Sequence, residues 1–586
     1  MGTAARPTRA GRTSPPPADG APGASGRRGR AHRADRSDRE GGDERAGRAG
    51  RSAHGRRESA ALFAAALLVA VGGLIYELIL GTAASYLIGD SVLSFSLAMG
   101  ITLFGMGIGS LLVNRVRRDP AVVFAVNEIV LGLVGGNSVL ALYAAFGLTD
   151  IHWWVFGAIS LVIGVLIGAE IPLLVRTFQR FGRASSVELV SRVLALDYFG
   201  ALAASLIFPL VLLPQLGLMR GAYLVGALNV LVAMVVLIQV GTPRRVLVAG
   251  VAAAVALTGL FLGADRLERG IDARTYGDPV VYYEQTAYQK IVLTQYRQDL
   301  RLYLNGQLQF SSLDEARYHE TLSASAMTSV EEPARVLILG GGDGLLAREV
   351  LRYPGLERIT LVDIDPRMTA LSRTNRLLRE SNGDALSDPR VEVVNQDAFA
   401  FTSEAGRRAQ EARDARDARG VEGAGGSQGG ESEAGRQDYD VVLIDLVDPS
   451  NERLAKLYSV EFYRQVEQLL SDDGVMVTQA TSSFFSPRAF STVDSTVAAA
   501  QPRRTTYPFS INVPSFGEWG FVLSTRRPDL LLTGALPRGL AYQDPELLRF
   551  ILLDHPAVTM SMPASTLLHP RIVEVYNEDM CQWRYT

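Results

Sequence analysis

The sequence predicts three regions in series: a multi-pass α-helical membrane domain, a small β subdomain and a doubly wound α/β domain. Three observations carry this. Apolar residues, 48% of the 586, concentrate before residue 264. Short β-like runs follow Tyr276, and beyond residue 330 apolar strands alternate with helical segments. A chain of this length exceeds one compact core, so several units are expected.

Residues 1–57 are Arg, Gly, Ala, Pro, Ser and Asp with almost no large apolar side chain. Such a segment buries too little surface to offset its ordering entropy and reads as a disordered Arg-rich tail. The membrane domain, 58–264, contains seven apolar stretches, at about 60–80, 92–114, 121–146, 152–176, 189–214, 217–240 and 245–263. Each is near the ~20 residues that span a bilayer core as a helix. Arg115, Arg117 and Arg118 mark one loop, Arg176, Arg180, Arg183 and Arg192 another, and Arg244 and Arg245 a third, whereas the loops around Asp90 and Asp150 are nearly free of basic residues. The excess of basic residues on cytoplasmic loops puts the N-terminus and these arginines inside. The expected location is the cell membrane, with the lipid bilayer as a partner. Seven crossings leave the C-terminal half outside. One stretch that does not cross, 245–263 being the weakest candidate for a true span, or two crossings merged in one would reverse this. Glu77, Glu128, Glu170 and Asp197 fall inside the apolar stretches. Ionisable groups at that depth suit a cation site or interhelical hydrogen bonds made while protonated.

After Tyr276 the runs VVYYEQ, KIVLTQY and LRLYLNG predict an antiparallel β subdomain over 277–330, closing with a helix through DEARYHETLSASAMTSV. Over 331–530 the strands VLILGGG, ITLVDID, VEVVNQD, YDVVLID and GVMVTQA alternate with helices. That pattern gives a largely parallel sheet of the Rossmann-like, methyltransferase type. Residues about 403–437 read as a solvated insertion, helical in part or disordered, and 531–586 as a C-terminal extension. A net charge of −3 speaks against a nucleic-acid binder. The lone Cys581 excludes an internal disulfide and a Cys-rich zinc site, and no metal is expected. Lysine occurs only at Lys290 and Lys456.

The chemistry is written at the strand ends. Gly340-Gly341-Gly342-Asp343-Gly344 follows the first strand, where glycines let the backbone approach a nucleoside at the carboxyl edge of the sheet. Asp363 ends the second strand about 20 residues on, placed to accept both ribose hydroxyls. Asp397, followed by Ala398, ends the third and can accept from an adenine amino group. The fourth strand leaves in Asp445-Leu446-Val447-Asp448-Pro449, and Tyr318-His319-Glu320 approaches from the β subdomain. Two carboxylates beside a nucleoside suit a polyamine, whose ammonium groups need acidic partners once desolvated. The plainer reading of that pair is a helix cap.

With these motifs the chain from about 277 to 525 resembles the spermidine synthase (polyamine aminopropyltransferase) family. The resemblance rests on Tyr288-Gln289, Leu304-Asn305-Gly306-Gln307-Leu308-Gln309, Asp314-Glu315, Tyr318-His319-Glu320, the glycine run, Asp363-Ile364-Asp365, Asp397-Ala398 and the D-x-x-D-P run. It implies that Asp445 takes the proton of the attacking amine, that Asp343 and Asp448 hold the amine, and that Tyr318 and His319 line its channel. Gln289, Gly340, Gly342, Asp363, Asp397 and Ala398 would hold the nucleoside. The implied reaction moves the aminopropyl group of decarboxylated S-adenosylmethionine, a co-substrate and not a cofactor, to an amine such as putrescine. A homo-oligomer is implied by the resemblance alone. The chain departs from the pattern at Leu446-Val447, usually small and polar. It also lacks the usual further proline in Ser450-Asn451-Glu452, and the usual tyrosine near Pro514. The rival readings are an S-adenosylmethionine-dependent methyltransferase on the same fold and a polyamine transporter or sensor with a non-catalytic synthase-like domain.

Overall fold

The computed structural model describes residues 63–85, 91–148, 151–181, 186–240, 244–422, 439–527 and 529–583. The expected tail, the loops around Asp90 and Asp150 and the insertion beyond 422 lie outside the described residues. All described residues belong to one compact unit, 61–586.

The first part is helical: α1 (Phe63–Ser85), α2 (Ser91–Leu112), α3 (Pro120–Gly136), α4 (Ser138–Leu148), α5 (His152–Phe181), α6 (Ser186–Ile207), α7 (Leu213–Val240) and α8 (Arg244–Thr275). Where the sequence predicts seven separate spans, six described helical runs are long and apolar enough to cross a membrane. The difference lies at 187–239. There the two expected stretches form one 53-residue apolar run, joined by a π-turn at Phe208–Leu212 and bent at Gly217, φ 68°. Small residues set the closest packing. A Cβ on Gly109 of α2 would lie 1.9 Å from the Val165 carbonyl of α5, and one on Gly168 of α5 2.1 Å from that of Met106, so the two backbones touch. Glu128 and Glu170 are buried between helices; Glu77 and Asp197 are half-buried.

The β subdomain is a four-stranded antiparallel sheet, β1 (Val280–Gln285), β2 (Lys290–Tyr296), β3 (Asp299–Leu304) and β4 (Gln307–Ser311), in sequential order. Helix α9 (Glu315–Met327) follows. It is expected to close this subdomain, but it packs elsewhere. Residues 318–327 are all buried, and Tyr318, Leu322 and Ala326 share a core with Val441, Val475 and Phe521 of the larger sheet. An all-round buried helix needs cover on more than one side, which a four-stranded sheet alone does not supply.

The larger domain runs β5 (Arg335–Gly340), α10 (Leu345–Val350), β6 (Arg358–Asp363), α11 (Pro366–Thr374), α12 (Arg376–Asn382), β7 (Val391–Asn395), α13 (Ala398–Glu422), β8 (Tyr439–Asp445), α14 (Glu452–Ala455), α15 (Val460–Glu467), β9 (Leu470–Gln479), α16 (Pro487–Ala500), β10 (Thr505–Val513), β11 (Gly517–Thr525), α17 (Pro545–Arg549) and α18 (Arg571–Cys581). The sheet order is β10-β11-β9-β8-β5-β6-β7. Its five strands from β9 to β7 are parallel, and β11 and β10 return antiparallel. The apolar runs are those of strands covered on both faces: Val336–Leu339 and Val441–Ile444 are fully buried. Strand order reverses between β5 and β8, which opens a crevice at their carboxyl ends. The insertion is helical in part, since α13 carries through to Glu422. The C-terminal extension is no loose tail: Leu548 and Leu552 join the core on one face of the sheet and Ile572 and Tyr576 the core on the other.

Candidate active site

Gly340 ends β5 and pairs with Asp445 at the end of β8, so the glycine turn and the acidic loop meet at the switch point. Gly340 and Gly341 have φ of 92° and 65°, which side-chain-bearing residues rarely adopt. The Gly341 N–H donates to the Asp445 carbonyl at 3.2 Å. At Gly342 the constraint is space: a Cβ would stand 2.4 Å from Asp363 Oδ2. Instead the Gly342 N–H donates to that oxygen at 3.1 Å, and the Asp365 N–H to Asp363 Oδ1 at 2.8 Å. Burial nevertheless pushes the Asp363 carboxyl up to about 6. Each oxygen retains an acceptor position for a hydroxyl.

Asp365, adjacent in sequence, does a different job. It caps α11 through Arg367 N at 3.0 Å and accepts from Thr286 Oγ1 at 2.7 Å and Gln289 Nε2 at 3.1 Å. Gln289 thus reaches the carboxyl edge of the larger sheet tied to Asp365, and the β1–β2 turn is anchored there. Asp397 lies further along that edge, accepting from Ala400 N at 3.0 Å and from Lys456 Nζ at 2.7 Å. Ala398 is the buried first residue of α13.

The other end of the crevice is acidic. Tyr318 donates its phenol to Asp445 Oδ1 at 2.7 Å. Burial raises the Asp445 pKa, and His319 and the Tyr318 hydrogen bond pull against it. Asp343 accepts from Leu345 N at 2.9 Å. Burial pushes it up to about 6, with His319 opposing and Asp445 adding repulsion. Burial disfavours charge on His319 too, but its Nδ1, 2.9 Å from Glu315 Oε2, gains more from that carboxylate, and the ring is held at about 9. Arg348 in turn grips both Glu315 oxygens at 2.9 Å. His319 is therefore a fixed positive charge near neutral pH, set among carboxylates that would otherwise repel one another. Asp448 accepts from the Tyr576 phenol at 2.9 Å, and burial takes it to about 6 despite that donor.

One expectation fails. Glu320 does not approach the crevice with its two neighbours, because its carboxylate accepts the N–H groups of Ala541, Tyr542 and Gln543 at 2.7–3.0 Å. Successive helical residues point about 100° apart, so Tyr318, His319 and Glu320 cannot share one target.

Residues 315–412 and 431–531 match the family described as spermine/spermidine synthase domain, with the gap falling inside the insertion. Over 547 residues the chain is 41% identical to polyamine aminopropyltransferase 1 of Streptomyces coelicolor, covering 91% of this chain and 96% of that one. It is 44% identical to polyamine aminopropyltransferase 2 of Ralstonia nicotianae over 80% of this chain and 87% of that one. With the polyamine aminopropyltransferase of Oceanobacillus iheyensis the identity is 34% over 89% and 98%. The chain belongs to the polyamine aminopropyltransferase family. The likeness takes in the helical half of the aminopropyltransferase as well as its C-terminal half.

Around the acidic loop of this aminopropyltransferase stand residues that strand-end reasoning missed. Gln479 donates to the Leu446 carbonyl at 2.6 Å and to Tyr458, whose phenol donates to the Val447 carbonyl at 2.9 Å. Gln479 ends β9 at the same edge as Asp445, so the rule that found the aspartates extends to it. Lys456 could have been singled out as one of two lysines in the chain. Tyr576 carries no signal: it is an ordinary tyrosine on an amphipathic C-terminal helix.

Proposed function

We propose that this aminopropyltransferase moves the aminopropyl group of decarboxylated S-adenosylmethionine to an amine such as putrescine, with Asp445 as proton acceptor. The observation that carries this is the half-buried Asp445 carboxylate at the switch point, between the glycine turn and an end of the crevice that also holds the carboxylates of Asp343 and Asp448 and the phenols of Tyr318 and Tyr576. The nucleoside lies over Gly340–Gly342 with its ribose on Asp363 and its base toward Asp397 and Ala398; Gln289 borders it. The amine enters along Tyr318 and His319, one nitrogen at Asp445 and the other held by Asp448 and Asp343. An alkylammonium has a pKa near ~10 and carries no lone pair, so a carboxylate in reach must accept its proton as attack begins. The nitrogen–carbon bond forms as the carbon–sulfur bond breaks, and methylthioadenosine leaves neutral. Positioning supplies much of the remaining acceleration because the sulfonium is already a good leaving group. Incubating the purified full chain with a panel of diamines and either S-adenosylmethionine or its decarboxylated form, with products read by mass spectrometry, tests this. Aminopropylated amine plus methylthioadenosine from the decarboxylated form is expected; methylated product would overturn the reading.

The helical half, on this reading, crosses a lipid bilayer. Leu103, Phe104, Leu111 and Trp154 are 61–81% exposed on its outside, an apolar surface that water would not tolerate. Arg176 donates to the Val113 carbonyl beside Arg115 at one end of the helices. At the other end Glu268 of α8, which began at Arg244, meets Tyr283 of β1 at 3.3 Å. The arginine-bearing loops and the catalytic half therefore sit at opposite ends, and the basic-residue bias puts the catalytic half on the outer face. The single, exposed Cys581 is a built-in probe. A membrane-impermeant maleimide should label it in intact cells; labelling only after permeabilisation would overturn that orientation.

A further inference from the structure

The loop that departs most from the family pattern, 446–452, is held by a helix from outside the matched domain. Helix α18 is mounted rigidly. Its Asp579, 3% exposed, accepts from Arg488 N at 2.9 Å, Ala489 N at 3.2 Å and Arg488 Nε at 2.6 Å, and so caps the start of α16. One turn earlier on α18, Tyr576 points its phenol at Asp448 Oδ2, and Asn577 donates to the Ser450 carbonyl at 3.4 Å. The second oxygen of Asp448, Oδ1, is buried with no partner within hydrogen-bond distance among the described residues, although the Thr481 and Gln479 side chains also help Tyr576 to stabilise the carboxylate. A buried carboxylate oxygen left unpaired is costly, and an ammonium group is the partner that best relieves it.

We infer that Tyr576 is a positioning and specificity-determining residue for the amine acceptor: by binding one oxygen of Asp448 it turns the other toward the far ammonium of a diamine. The absent proline leaves the loop after Asp448 without its usual covalent restraint, and α18 replaces that restraint with two hydrogen bonds. The distance from Asp445 to the fixed oxygen of Asp448 then sets which amine length fits. This rests on the assignment of Asp448 to the amine.

Tyr576→Phe removes the donor and little else. In the full-length protein the KM for the preferred diamine is expected to rise about tenfold, with kcat within about threefold and the KM for the nucleoside unchanged. Preference among diamines of different length should flatten. The Tyr576 hydrogen bond lowers the Asp448 pKa, so its loss moves the acid limb of kcat/KM for the amine to higher pH. Affinity for methylthioadenosine, measured by calorimetry, should match the wild type and reports an intact fold. Unchanged amine KM and acid limb, or a loss shared equally by both substrates with weakened methylthioadenosine binding, overturns the inference. Calorimetric titration of a diamine onto the methylthioadenosine complex separates the two claims. Tenfold weaker binding by the variant upholds Tyr576 even if no turnover occurs, whereas turnover by a wild type whose diamine affinity the variant shares upholds only the reaction.

Discussion

The two ends of the crevice are built differently. At the end we assign to the nucleoside the partners of Asp363 are the backbone N–H groups of Gly342 and Asp365, within about two dozen residues of one another. At the end assigned to the amine, Asp343 is held by the nearby Leu345 N–H, but the two carboxylates of the acidic loop are each satisfied by a side chain from far along the chain: Asp445 by Tyr318, 127 residues away, and Asp448 by Tyr576, 128 residues away. Backbone donors hold a carboxylate whatever the neighbouring side chains are, so the first end tolerates change around it. Side-chain donors can be exchanged one at a time, so the second can be retuned for another amine without disturbing the fold.

The largest effect that would break this comparison belongs to Asp445. Asp445→Asn keeps the shape and the Tyr318 contact but removes the proposed proton acceptor. It should lower kcat about a thousandfold, in the range of general-base loss, while methylthioadenosine still binds. Turnover within tenfold of wild type would place the acceptor elsewhere. At the other end, Gly342→Ala puts a methyl 2.4 Å from Asp363 Oδ2 and must displace that carboxylate. One or two charge-assisted hydrogen bonds are at stake, about 1.5–3 kcal/mol each. The KM for the nucleoside should rise at least about tenfold with the amine KM unchanged; equal changes in both would deny that the ends are separable.

The same contrast explains what could be read from the sequence. The glycine turn, Asp363, Asp397 and Asp445 all close strands of a parallel sheet, and period and strand-end position alone locate them. Asp448 follows from its spacing to Asp445. The roles of Tyr318 and His319 come from the family resemblance, and the charge on His319 depends on Glu315, one turn earlier on α9, with Asp343 and Asp445 adding to it. Glu320 misled because three adjacent helical residues were treated as one unit. Gln479 ends β9 and is open to the same strand-end rule, whereas Tyr576 is out of reach because its place depends on how the C-terminal extension folds back. In the helical half, hydropathy located the apolar stretches but not the continuity of α6 and α7, since a π-turn and a bend at Gly217 leave no apolar gap.

A pH profile sharpens the comparison further. Asp343 and Asp448, raised to about 6 by burial, must be ionised to hold an ammonium group. Carboxyls with raised pKa values regain protons as pH falls through those values, so kcat/KM for the amine should fall below about pH 6, by up to about tenfold per unit for each group. Asp363 also sits at about 6, but a ribose hydroxyl needs an acceptor, not a charge, and a protonated carboxyl still accepts on one oxygen. The nucleoside KM should therefore change less than the amine KM between pH 7 and 5. An equal change would erase the distinction between charge recognition at one end and hydrogen bonding at the other.

The smallest effect concerns Lys456, whose ammonium is 2.7 Å from Asp397 Oδ2. The pair is partly exposed, at 38% and 27% of the two side chains, and such pairs are worth about 0.2–1 kcal/mol. Two roles are distinguishable by sign. If Asp397 accepts from the adenine amino group, Lys456 competes for the same oxygen, and Lys456→Met should lower the nucleoside KM by no more than about fivefold. If Lys456 instead holds Asp397 in place for the base, the same change raises that KM. The competing role is expected, because Ala400 N already fixes Asp397 through its other oxygen and the carboxylate does not need a second anchor.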